Sequence, residues 1–164
     1  LPLHRMRWLD HGDAFDAGDR TLQLVRPPLF DSPATRGLYD SRTRTLWAVD
    51  TFGALVQGAV YEADDADPEL YAGSFRIFNQ WNTPWLAWLD RDRFEQHLRR
   101  SADLDVAVVA SAHGPVLRGE RIGRAFADTA ALAGEPVPPT PDQGALDALL
   151  ASVLAAGVSS APAG

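Results

Sequence analysis

Three short segments carry side chains whose type and placement could do chemistry: Leu29-Phe30-Asp31-Ser32-Pro33-Ala34-Thr35, Val49-Asp50-Thr51-Phe52-Gly53 and Ala110-Ser111-Ala112-His113-Gly114-Pro115. In the second and third, an apolar run ends and a polar residue with ligand chemistry follows next to a glycine. Asp50 closes TLWAV, and His113 follows DVAVVA. Functional groups collect at the carboxyl ends of strands in sheets flanked by helices. A carboxylate and an imidazole presented there are what a divalent metal needs: the carboxylate has two oxygens and can bridge, and neutral imidazole is a common terminal ligand. Each residue also has a plainer reading. An Asp after a strand forms turns or caps helices, a His before Gly-Pro sits in a turn, and Asp31 before Ser-Pro suits an Asx-turn. His4, His11 and His97 have no pattern around them, and His97 lies among charged residues that imply an exposed helix face.

The elements that must position these residues read as short strands followed by helices. Residues 5–9, 21–25, 36–39, 45–49 and 105–110 are the expected strands, the last being the clearest buried one. Pro27 and Pro28 stop the second strand, because proline cannot donate to the ladder. Asp40-Ser41-Arg42-Thr43 is a hairpin-like turn. Helices are expected over 68–79, from an Asp90 N-cap to about residue 100, over 119–132, and from an Asp142 cap to about residue 154. Arg99 and Arg100 suit the C-terminal end of the second of these. Trp81, Trp85 and Trp88, three of the five tryptophans, read as core or an inter-element wedge rather than a ligand box. The expected organisation is a main body over 1–134, a linker and terminal helix over 135–155, and a small-residue tail over 156–164 that is disordered.

Composition narrows the classes. The chain has 164 residues, 46% of them apolar, enough for one domain with a core. Its formal charge is −7, from 15 basic and 22 acidic residues. No basic stripe is present to displace counterions, which argues against a nucleic-acid partner. The cluster at Asp64, Asp65 and Asp67 reads as a solvated loop. The absence of cysteine excludes disulfides, thiolate metal sites and cysteine nucleophiles. Nothing asks for an oxidising compartment, so the cytoplasm is the expected location. No apolar run approaches the ~20 residues of a membrane span.

Taken in order, DSPAT, GLYD, LWAVDTFGA and ASAHGP resemble the second half of metallo-β-lactamase-fold proteins. Within that superfamily they resemble the oxygen-binding diiron branch, the flavodiiron-type core, from about Gly12 to Arg118. The resemblance implies an α/β fold, an αββα sandwich with a dinuclear site at one edge. It also implies that Asp50 is a bridging carboxylate and His113 a terminal ligand. Asp31 stands where the family usually has His and is a third candidate ligand. The family's His-x-His/Glu-x-Asp-His motif does not occur in these 164 residues. The opening LPLHRMRWLD, with no initial Met, reads as mid-chain, so the expectation is an incomplete second half with a mixed sheet and flanking helices. The expected cofactor is one or two divalent ions, zinc or iron, held by the longer chain. The function expected first is a metal-dependent hydrolase acting on a small molecule through metal-activated water, with this segment inactive alone. The alternatives are a diiron oxidoreductase-like protein binding oxygen or nitric oxide, which would need an electron partner such as a flavin module, and a non-catalytic binding domain. Either the missing N-terminal half or self-association should cover the open side of the sandwich.

Overall fold

A computed structural model describes residues 2, 4 and 6–159 of the chain, with side chains through residue 151. Four strands, β1 (Ala14–Asp16), β2 (Thr21–Val25), β3 (Gly37–Asp40) and β4 (Thr45–Trp47), pair in sequence order and antiparallel. The chain then leaves the sheet for α1 (Pro68–Asn82), a 3₁₀ segment (Pro84–Trp88) and α2 (Arg91–Ala102). It returns as β5 (Val108–Ala110), parallel to β4, and β6 (Leu117–Arg118) completes a six-stranded mixed sheet. α3 (Glu120–Ala131) and α4 (Gln143–Ser159) follow.

Local chemistry explains these boundaries. Asp40 organises the β3–β4 turn: one carboxylate oxygen accepts from the Arg42 N–H, and the other accepts from the Thr43 hydroxyl and the Arg20 guanidinium. Asp67, at the end of the acidic cluster, caps α1 by accepting from the N–H groups of Glu69 and Leu70, with Pro68 at the first helical position. Asp90 caps α2 through Arg93, and Asp142 caps α4 through Ala145.

Register sorts the sheet into two faces. Tyr39, Leu46, Val109 and Leu117 are cross-strand neighbours, all buried against α1 and α3 through Tyr71, Phe75 and Ala125. A second cluster of Leu29, Leu86, Phe94, Leu98 and Leu132 joins α2 to the end of α3. The opposite face carries the row Leu38, Trp47, Ala110, and Trp47 is 40% exposed.

Several expectations change, and the strand read over 45–49 ends at Trp47. Residues 6–9 form no strand, and residue 5 lies outside the described residues. The run at 105–110 contributes only three residues to the sheet, because the N–H groups of Ala107 and Val108 both turn to the Arg44 carbonyl. The terminal helix runs on to Ser159, into the stretch read as tail, while residues 160–164 lie outside the described part. Of the three tryptophans, Trp85 is the wedge, whereas Trp88 is 84% exposed. Among the described residues no helix is long and apolar enough to cross a membrane.

Candidate functional site

Asp50 and His113 meet. Imidazole Nε2 of His113 lies 3.3 Å from Oδ1 of Asp50, with the two side chains 49% and 34% exposed. They sit just past the ends of β4 and β5, two strands paired in parallel, so both turns emerge at one edge of the sheet.

The two turns are locked together through the backbone. Ala48 N–H donates to the Ala110 carbonyl, Ala112 N–H to the Val49 carbonyl, and Ala54 N–H to the His113 carbonyl. The Ser111 hydroxyl adds a bond to the same Val49 carbonyl at 2.9 Å. Val49 holds φ at 54° and Phe52 at 66°. A β-branched residue in the left-handed region is strained by about 1–3 kcal/mol, a cost sustained only where surrounding contacts fix the backbone. Here the two bonds to the Val49 carbonyl and the interlocked partner turn do so. Gly114, at φ 122°, lies so close to the Asp50 turn that a Cβ would stand 2.6 Å from the Ala54 carbonyl oxygen.

Beneath the turn, buried polar side chains complete the support. Thr51 is fully buried, and its hydroxyl donates to the Leu29 carbonyl at 2.9 Å while accepting from the Leu29 N–H at 3.1 Å. Asn79 of α1, 1% exposed, accepts from Phe52 N–H and donates to the Gly53 and Phe75 carbonyls. Phe78, one residue earlier on α1, packs its ring 5.2 Å from that of His113. Asn79, Thr51 and Phe78 did not stand out in the sequence. Nothing local marks Asn79, which sits beside Gln80 in a helix of mixed polar and apolar residues.

Asp31 is held differently. It is exposed and accepts a 2.9 Å hydrogen bond from the Thr35 hydroxyl four residues on. Among the described residues no three of His, Cys, Asp and Glu are grouped so as to hold a metal ion. The structure therefore brings two of the three candidates into contact and does not complete a triad with Asp31. His97 also differs from expectation. It is half-buried, its Nε2 faces the Pro27 carbonyl at 3.1 Å, and burial, reinforced by Arg100 and Arg26, holds its pKa below the ordinary histidine value.

A mixed six-stranded sheet with flanking helices and paired strand-end turns defines a metallo-β-lactamase-like fold, of the kind found in flavodiiron cores. Comparison with solved structures supports it. The flavodiiron protein from Giardia intestinalis aligns with a TM-score of 0.60 at 23% identity, over 76% of this chain and 30% of that one. Rubredoxin oxygen:oxidoreductase from Desulfovibrio gigas aligns at 0.60 and 15% identity, over 84% and 35%. The chemotaxis sensor ODP, solved as a peroxy diiron species, aligns at 0.59 and 18% identity, over 74% and 50%. At such identities the likeness speaks for the fold alone, and the chain spans half or less of each of these proteins. No family model matches the chain, and no curated protein matches it.

Proposed function

We propose that this chain is the part of a diiron-type, metallo-β-lactamase-like domain that contributes Asp50 and His113 to an iron centre binding oxygen or nitric oxide. The observation that carries the proposal is the 3.3 Å approach of these two side chains at adjacent strand ends, on strained and interlocked turns. A carboxylate oxygen and an imidazole nitrogen suit iron(II) by ligand type. Two donors are too few for a tight site, so the remaining ligands belong to residues beyond the described ones or to a second chain. When bound, iron would supply reversible binding of a diatomic gas and one-electron redox chemistry. The protein's own part is to hold the Asp50 carboxylate and the His113 ring at one spot, with Phe78 packed beside the ring.

This reading is preferred to the water-activating hydrolase. The proteins that share the fold include a flavodiiron protein, an oxygen oxidoreductase and a diiron sensor, and none of the three is named a hydrolase. The non-catalytic reading has one observation in its favour, the lack of a three-residue cluster among the described residues. Elemental analysis of the protein carrying its flanking sequence separates the two. Iron at one or two ions per chain is expected, with Asp50→Ala and His113→Ala each losing most of it and Asp31→Ala losing less. These 164 residues alone should purify nearly metal-free. Full iron in the Asp50 and His113 variants would refute the ligand assignment, and a metal-free parent protein would favour the non-catalytic domain.

A further inference from the structure

The second cluster of the core opens to solvent as a groove of about 300 Å³ between the segment after β2, the 3₁₀ segment and α2. Its walls are aromatic. The rings of Phe30 and Trp85 lie 5.3 Å apart, and Trp85 meets Phe94 edge-on at 6.1 Å. Trp85 is fixed in place because its indole N–H donates to the Phe30 carbonyl at 3.0 Å. His97 closes one end, its ring edge-on to Phe30 at 5.9 Å.

Two guanidinium groups border these rings. Arg26 lies over the Phe30 face, 5.7 Å from its centroid. Arg93 lines the groove from α2, and among the described residues its guanidinium makes no hydrogen bond or ion pair. Two carboxylates lie nearby, each with hydrogen bonds of its own. Asp90, also in the lining, accepts the Arg93 backbone N–H as the α2 cap. Asp10 bonds Arg36 at 3.0 Å and reaches Arg26 only at 3.5 Å. In a chain of net charge −7, the Arg93 guanidinium thus stands at an apolar floor with no ion pair of its own among the described residues, beside the Asp90 carboxylate of the same lining.

We propose that this groove is a binding site for a small planar aromatic carboxylate, with the ring against Phe30, Trp85 and Phe94 and the carboxylate on Arg93 and Arg26. Aromatic walls supply area and stacking, and a guanidinium not already paired is the group that recognises a carboxylate through two parallel bonds. The volume admits a one- or two-ring ligand. The site is independent of any metal at Asp50 and His113.

Titration of the ¹⁵N-labelled chain with indole-3-acetate, followed at the Trp85 indole N–H, tests the proposal, with indole-3-acetamide as the uncharged isostere. Saturable shifts at Trp85 are expected with a Kd of roughly 0.1–1 mM, and the amide should bind about tenfold more weakly or worse. Arg93→Gln should remove most of that discrimination while the other indole signals stay in place, which shows that the fold is intact. Arg26→Gln should weaken acetate binding as well. Equal binding of acid and amide, unchanged discrimination in Arg93→Gln, or no Trp85 shift at 10-fold above that range, about 10 mM, would each overturn the proposal.

Discussion

Asp50 and Asp31 are both carboxylates in turns, and Thr51 ties the two turns together through Leu29. They are nevertheless held by different physics. The Asp50 turn is fixed from three sides: by the partner turn at 110–114, by buried Asn79, and by Thr51. Asp31 is held by one exposed hydrogen bond to Thr35. A ligand must sit within a fraction of an ångström of its working position to bind a metal well. The first turn is fixed firmly enough to meet that demand, and the second is not. The contrast teaches that a carboxylate's neighbours, more than its own identity, decide how firmly it is held in place.

Breaking the interlock should have the largest effect. Gly114→Ala puts a Cβ into the Ala54 backbone and forces an unfavourable φ, so a loss of about 3 kcal/mol or more is expected in urea melts. Asn79→Ala comes next. It leaves the Phe52 N–H and the Gly53 carbonyl buried without their partner, and about 2–3 kcal/mol should be lost. It should also broaden the His113 ring signals in NMR, because the turn beneath them loosens.

A smaller effect, on the Asp31 side, comes from acid. His97 holds the Pro27 carbonyl and the Phe30 ring on the segment that leads to Asp31. Its folded pKa lies below the ordinary 6.5, chiefly through burial. The unfolded chain therefore binds the proton more readily, and stability should fall as pH drops below about 6.5 and level off below the folded pKa. His97→Gln should flatten that part of the pH profile; an unchanged slope would assign it to other groups. Smallest of all is Asp31→Ala, which should stay within about 0.5 kcal/mol of the parent in the same melts. A loss as large as that of Asn79→Ala would erase the distinction between the two turns.

Much of this was legible in the sequence, and the reasons differ by residue. Asp50 and His113 stand out because each follows an apolar run, but each alone also suits an ordinary turn; the resemblance to the diiron branch singles them out, and their 3.3 Å contact is visible only in the structure. The caps at Asp67, Asp90 and Asp142 and the stop at Pro27 are local effects, so local sequence reveals most of them. Strand length at 105–110 was overestimated because Val106 is apolar for another reason: it packs on the core from outside the sheet. His97 was misplaced by its charged neighbours, although helical spacing already puts it on the buried face with Phe94 and Leu98. The Asn79 clamp, the left-handed backbone at Val49 and the aromatic groove depend on contacts between distant segments. No local pattern encodes them.

The parallel pairing of β4 with β5 has a consequence for the order of assembly. β1 to β4 follow one another along the chain, the longest connection among them being residues 26–36, while α1 and α2 both lie between β4 and β5. Closing that long connection loses chain entropy before the ladder contacts repay it, so such pairings form late. Asp50 and His113 sit on opposite sides of the closure. In the unfolded chain they are strangers, and an ion could not nucleate folding by holding both. During refolding from denaturant, pulsed hydrogen exchange should therefore protect the amides of β2 and β3 before those of β5 and β6, with His113 reaching its native environment only in the last phase.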